Sequence, residues 1–156
     1  MPIEIERKFL VTDDSWRQTA GEGMPIRQGY LVGEGLASVR VRLSGHQANL
    51  NIKGRTLGVR RQEFEYPIPV ADARVLLETL CAKPLIEKVR YPVWFEGHEW
   101  EVDVFEGANA GLVVAEIELS DEHEAFVRPP WVGKEVSDDP RYYNTELRKH
   151  PFREWS

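Results

Sequence analysis

Apolar and polar positions alternate in short runs along this chain, and the alternation predicts strands near residues 3–10, 27–32, 36–43, 48–53, 60–68, 87–95, 98–105 and 112–119. Ala73, Leu76, Leu77, Leu80 and Cys81 recur at helical spacing instead. That predicts a helix over 70–81, with Asp72 near its N-terminus where the dipole favours a carboxylate. Shorter helices are expected at 13–19, 121–127 and 140–149, the last capped by Asp138 or Asp139 with Pro140 at its first position. Pro92 lacks a backbone donor, so its strand should be at an edge or interrupted there. No repeat or linker divides the chain, and the expectation is one mainly β (α+β) domain over 1–156.

The polar faces of these strands are unusual because they are ionised. Glu4, Glu6 and Lys8 share one face of the first strand, and Arg40 and Arg42 share another with Ser38. Lys53 stands beside Asn49 and Asn51, Arg61 beside Glu63 and Glu65, Lys88 beside Arg90, Glu101 beside Asp103, and Glu116 beside Glu118. Only the strand at 27–32 lacks such a face. Two arrangements accommodate the pattern: the charges face water, or the sheet closes and turns them into a shared lumen. Apolar opposite faces, with amphipathic helices available to cover them, favour closure, and about eight strands make a barrel wide enough for one small ligand.

Like charges about 4 Å apart repel by on the order of 4 kcal/mol at an effective dielectric of 20, so a lumen with sorted charges calls for counter-ions. A phosphate chain suits the basic wall and a hard divalent cation suits the carboxylates. The chain as a whole carries 26 acidic against 20 basic residues, a net charge of -6, which argues against a duplex nucleic acid partner. No apolar run approaches the roughly 18 residues of a membrane span, the start lacks a signal peptide's apolar core, and a cytoplasmic location is expected. One cysteine, Cys81, on the apolar face of its helix, reads as a buried small hydrophobe. His46, His98, His123 and His150 show no ligand spacing, and no phosphate loop or serine-hydrolase elbow occurs. Five Trp on a β-rich surface admit a homodimer, although scattered aromatics normally belong to cores.

Glu4, Glu6 and Lys8, spaced E-x-E-x-K, resemble the signature of the CYTH superfamily, the triphosphate tunnel metalloenzymes. The likeness continues in order through Tyr30 in QGYL, Arg40 and Arg42 in SVRVR, Lys53 in NIKG, Arg61, Glu63 and Glu65 in RRQEFEYPI, and Lys88 and Arg90 in EKVRY. Asp103 in EVDVFEG, Glu116 and Glu118 in VVAEIEL, and GKEVSDDPRYYN carry it to about residue 146. The resemblance implies an eight-stranded antiparallel closed barrel, a tunnel covered outside by a few helices, and most resembles the bacterial inorganic tripolyphosphatase branch.

It further implies that Glu4, Glu6, Glu63, Asp103, Glu116 and Glu118 hold Mg²⁺ or Mn²⁺. Lys8, Arg40, Arg42, Lys53, Arg61, Lys88 and Arg90 would bind the small polyanionic substrate, tripolyphosphate or a nucleoside triphosphate. The arginines can do so with their planar bidentate geometry. Lys8 and Tyr30 are the catalytic candidates, with Lys8 positioning or deprotonating the attacking water. The implied activity is metal-dependent hydrolysis of tripolyphosphate to pyrophosphate and orthophosphate. The alternatives are a class IV adenylyl cyclase in the same tunnel and a non-catalytic binder of polyphosphate or phosphorylated metabolites.

Overall fold

The computed structural model describes residues 3–33, 35–55 and 58–155. Its strands are β1 (Ile3–Val11), β2 (Met24–Val32), β3 (Ala37–Ser44), β4 (Gln47–Gly54) and β5 (Arg60–Pro67), then β6 (Ile86–Phe95), β7 (His98–Phe105), β8 (Val113–Glu118) and β9 (Val132–Glu135). Two α-helices are present among the described residues, α1 (Val70–Thr79) and α2 (Asn144–Lys149).

The strands follow the order β5-β4-β3-β2-β6-β7-β8-β1, and β1 pairs back onto β5. Every pairing is antiparallel, so eight strands close on themselves and no edge is left within the ring. Closure divides one side of β1 in two. Its first residues pair with β5, Glu4 opposite Arg61, and its last residues pair with β9, Phe9 opposite Glu135. The ninth strand therefore lies outside the ring, and its four residues carry too little alternation to announce it.

Directly opposed residues share a face, so the register assembles the charges. Lys8 lies opposite Glu116, Glu6 opposite Glu118, Tyr30 opposite Arg40, Ser38 opposite Lys53 and Arg90 opposite Asp103. These faces point inward. The apolar faces point outward and are covered in two places. Phe9, Trp100, Val102 and Ile117 pack against Trp16 and Trp131. Val41, Leu43 and Ala48 lie under Ala73 and Leu77 of α1. Ile86, Phe105 and Val114 instead share the inward parity of Lys88, Asp103 and Glu116, and with Tyr142 and Leu147 of the C-terminal segment they make an apolar end to the barrel interior. Each large apolar side chain buried in this way contributes about 1.5–3 kcal/mol.

The helix at 70–81 forms over Val70–Thr79, but the other helical expectations need correction. Residues 13–19 make only a single 3-10 turn, Ser15–Gln18, which seats Trp16 against Tyr91 at 5.2 Å between ring centroids. Residues 121–127 form no helix. Glu124 accepts from the backbone N–H and hydroxyl of Ser120 and contacts His98, and the chain then runs extended to lay Phe126 on Phe9 and Trp100. Residues 140–149 split into a 3-10 turn, Pro140–Tyr142, and α2, because Tyr143 between them is extended. Asp139 caps the turn by accepting from the Arg141 N–H. β6 runs unbroken through Pro92, and of the two expectations for it the edge position holds: pairing with β2 ends at Arg90, and the Pro92 carbonyl accepts from the Gly21 N–H.

Among the described residues no helix is long and apolar enough to cross a membrane.

Candidate active site

The barrel encloses a cavity of about 210 Å³. β1 contributes Glu4, Glu6 and Lys8, β2 contributes Tyr30, and β3 contributes Ser38, Arg40 and Arg42. The rest of the wall includes Lys53, Arg61, Glu63 and Glu65 on one side, and Arg90, Glu101, Glu116 and Glu118 on the other. Lys88 and Asp103 are not on this wall. They sit beneath it with fully buried side chains, 2.8 Å apart.

Cations and carboxylates interlock through most of the lumen. Glu4 accepts from Arg61 at 3.0 Å and lies 3.3 Å from Lys53, which also pairs with Glu63 at 3.1 Å. Burial opposes ionisation of Glu4, but Lys53 and Arg61 overcome it and bring its pKa down to about 2. Lys53 falls to about 8, chiefly through burial and then through the charges of Arg40 and Arg61. Arg90 donates to both oxygens of Asp103, and also reaches Glu101 at 3.1 Å and Glu116 at 3.6 Å. Burial alone would weaken Arg90 as a base, yet these carboxylates raise its pKa well above the ordinary value. Lys88, with Asp103 as its partner, is nonetheless pulled to about 8 by burial.

Two groups escape this neutralisation. Arg40 is only 3% exposed, its Nε has no hydrogen-bond partner, and among the described residues no carboxylate forms an ion pair with it. Among the described residues Arg42 donates only to Gln28, at 2.9 Å. Burial first, then the neighbouring charges of Arg40 and Arg90, lower its pKa to about 9. A buried cation with no counter-charge is costly, and an anion in the cavity removes that cost.

The second group is the carboxylates of β1 and β8. Burial and the charges of Glu116 and Glu4 raise Glu6 well above the carboxylate range, and it is hydrogen-bonded to Glu116. Glu116 stays well below that range despite burial because Lys8, Arg90 and Lys88 hold it ionised. Glu6 and Glu116 therefore titrate as a coupled pair pushed in opposite directions. Glu118 is raised by burial and by the charges of Glu4, Glu63 and Glu101. An all-oxygen set of mutually repelling carboxylates fits a hard cation such as Mg²⁺ or Mn²⁺. Among the described residues no three His, Cys, Asp or Glu groups form a cage by themselves, so substrate oxygens and water would complete the shell, as is usual for Mg²⁺.

Lys8 donates to the Tyr142 carbonyl at 3.0 Å and lies 3.8 Å from Glu116. Tyr30 is buried on the wall, and among the described residues no hydrogen bond joins it to Lys8. The periodicity of the strands gave no indication of Ser137, Tyr143, Asn144 and Thr145, which also line the cavity. For Ser137, Tyr143 and Asn144 the signal lies in the GKEVSDDPRYYN string, to which the resemblance attaches no role; Thr145 follows it directly.

A family model described as the CYTH domain matches residues 2–143. The chain belongs to the CYTH family. A relative from Acetivibrio thermocellus named inorganic triphosphatase is 50% identical over 98% of this chain and 97% of its own length. Another of that name from Nitrosomonas europaea is 36% identical over 92% and 95% of the two chains. The crystal structure of an inorganic triphosphatase superposes with a TM-score of 0.67, at 35% identity and 95% coverage of each chain. A putative adenylyl cyclase from Hippeastrum, described as having a dominant triphosphatase activity, shares the CYTH fold at 15% identity with a TM-score of 0.55 over 76% of this chain and 80% of its own.

Proposed function

We propose that this CYTH protein hydrolyses triphosphates in the barrel lumen with a divalent cation, Mg²⁺ or Mn²⁺, and that inorganic tripolyphosphate is its main substrate. The observation that carries the reading is a pair of arginines without carboxylate partners among the described residues, the buried Arg40 and the half-buried Arg42, in the same cavity as the crowded carboxylates Glu4, Glu6, Glu116 and Glu118. Unbalanced cations need a polyanion and crowded carboxylates need a cation, and a metal-bound phosphate chain supplies both. A simple polyphosphate binder has no use for the carboxylates. The relatives at 50% and 36% identity, both named inorganic triphosphatase, favour hydrolysis over cyclisation.

Phosphoryl transfer requires positioning, charge neutralisation and an oriented water more than covalent chemistry. Arg40 and Arg42 grip the phosphates first because nothing else engages them. Lys8, Lys53, Arg61 and Arg90 share their charge between phosphate and carboxylate. Lys88 acts at one remove, bracing Asp103, which in turn orients Arg90. Glu6, Glu116 and Glu118 are the principal cation ligands, with Glu4 and Glu63 released to join them as substrate competes for Lys53 and Arg61. Asp103, both of whose oxygens are taken, remains structural. A divalent cation held by these carboxylates would supply the charge neutralisation that the reacting phosphate needs.

Lys8 holds the attacking water, and Tyr30 closes the wall beside Arg40. A Lys8→Arg variant that kept its turnover would remove any role for Lys8 in proton transfer. Product analysis after incubation with tripolyphosphate or ATP tests the assignment. Orthophosphate is expected; cyclic AMP with pyrophosphate from ATP would move the protein to the cyclase reading, and no turnover would reduce the lumen to a binding site.

A further inference from the structure

The segment after β9 forms a wall that the charged strands alone do not provide. It is tied to β1 at three points: the Val136 N–H donates to the Lys8 carbonyl at 2.8 Å, the Lys8 N–H donates to the Ser137 hydroxyl at 3.0 Å, and the Lys8 ammonium donates to the Tyr142 carbonyl at 3.0 Å. Two residues beyond Tyr142 is Asn144, which lines the cavity. Asn144 lies just past the matched CYTH segment, which ends at residue 143.

The Asn144 amide oxygen is buried and has no hydrogen-bond partner. A buried amide oxygen left unpaired is destabilising, so a donor is expected there in the working enzyme. Phosphate oxygens and ionised carboxylates cannot donate. Water can. Lys8 has three ammonium N–H groups; Tyr142 takes one and Glu116 stands 3.8 Å away, which leaves donor capacity facing the cavity. Both residues line the cavity, so a water reached by both would accept from Lys8, donate to Asn144 and keep a lone pair for phosphorus.

We infer that Asn144 is a catalytic residue that holds the attacking water through its side-chain oxygen, in partnership with Lys8. The inference rests on the hydrolase reading. In the step, the water oxygen bonds to the terminal phosphorus while the bond to the bridging oxygen breaks, and that electron pair leaves with pyrophosphate. One proton of the water stays on the orthophosphate and the other ends on the pyrophosphate, so atoms and charge balance without a further reactant.

The test compares Asn144→Asp and Asn144→Leu with wild type in steady-state hydrolysis of tripolyphosphate, with melting temperature as a check on folding. Asp keeps an oxygen acceptor and Leu keeps only the shape. Misplacing the water should lower kcat by about 100-fold in the Leu variant with KM little changed, while the Asp variant retains most of kcat. Asp should also give the pH profile a new acidic limb, since its carboxylate must be ionised to accept. If the amide instead donates to phosphate, Asp is the worse variant and shows its defect as a raised KM, which overturns the inference. Unchanged kcat in both variants overturns it too. An inactive wild type would fail the hydrolase reading itself, whereas an active wild type with indifferent variants fails only the role given to Asn144. Should the Leu variant not fold, the kcat and KM of the Asp variant still decide between acceptor and donor.

Discussion

Arg90 grips Asp103 with two hydrogen bonds, Nε to Oδ1 at 2.8 Å and a terminal nitrogen to Oδ2 at 2.9 Å, beneath the cavity wall. Lys88 approaches the same carboxylate at 2.8 Å. One buried anion thus compensates two buried cations. Asp103→Asn should cost about 3–5 kcal/mol of stability, because it leaves the fully buried Lys88 without a carboxylate and reduces Arg90 to Glu101 and Glu116. Urea denaturation checks this, and a loss below about 1 kcal/mol would show that water or another group already screens them.

Arg40 should behave in the opposite way. It has no carboxylate to abandon, so Arg40→Ala is expected to leave the melting temperature unchanged or higher. A charged hydrogen bond to phosphate contributes about 1.5–3 kcal/mol, so KM for tripolyphosphate should rise by about 10-fold or more. Loss of stability together with an unchanged KM would mean that Arg40 serves the fold and not the substrate.

The carboxylates of β1 and β8 predict a pH-dependent response to chelation. Glu6 is raised above its ordinary 4.5, so above that pH the folded chain retains a proton that the unfolded chain has released. Stability from this group is full below 4.5 and falls as pH rises toward the folded pKa, and Glu118 contributes with the same sign. Glu4 and Glu116 are depressed; their contribution is present above 4.5 and is lost only at lower pH. Lys53 and Lys88, brought to about 8, titrate above the window. With EDTA the melting temperature should therefore fall between about pH 5 and pH 7, and Mg²⁺ or Mn²⁺ should restore it most at the higher pH. A metal-induced shift that is absent or equal at both pH values would argue against these carboxylates as the cation site.

Gly29 marks the closest approach of β2 to the end of α1. A Cβ placed there would lie 2.7 Å from both the Cys81 Cβ and a Leu85 methyl carbon. Gly29→Ala should cost about 1–3 kcal/mol by overpacking, measured by denaturant unfolding, with KM unaffected because position 29 faces away from the lumen. A neutral effect on stability would mean that the helix end can shift outward.

How much the sequence reveals depends on which interaction shapes each segment. Strand faces were legible because closing the barrel buries one parity and covers the other, and Arg40, Arg42, Glu116 and Glu118 fall on the cavity wall by parity alone. Parity does not report depth, so it cannot separate Arg90 on the wall from Lys88 beneath it. The helical pattern at 121–127 gives way to tertiary contacts: Phe126 must reach Trp100, and Glu124 is held by Ser120 and His98. Asn144 has no periodic signature, since it joins the site through β9 and the hydrogen bonds around Lys8.

In the proposed function the lumen's cations hold a triphosphate while its carboxylates hold the cation that activates it. Orthophosphate release from tripolyphosphate, ATP and pyrophosphate with Mg²⁺ or Mn²⁺, compared between wild type and Glu4→Gln, tests it most directly. Release from tripolyphosphate in excess of the other two, abolished by EDTA and lost in the variant, is the expected result. Metal-independent release, or a Glu4→Gln enzyme as active as wild type, would contradict it.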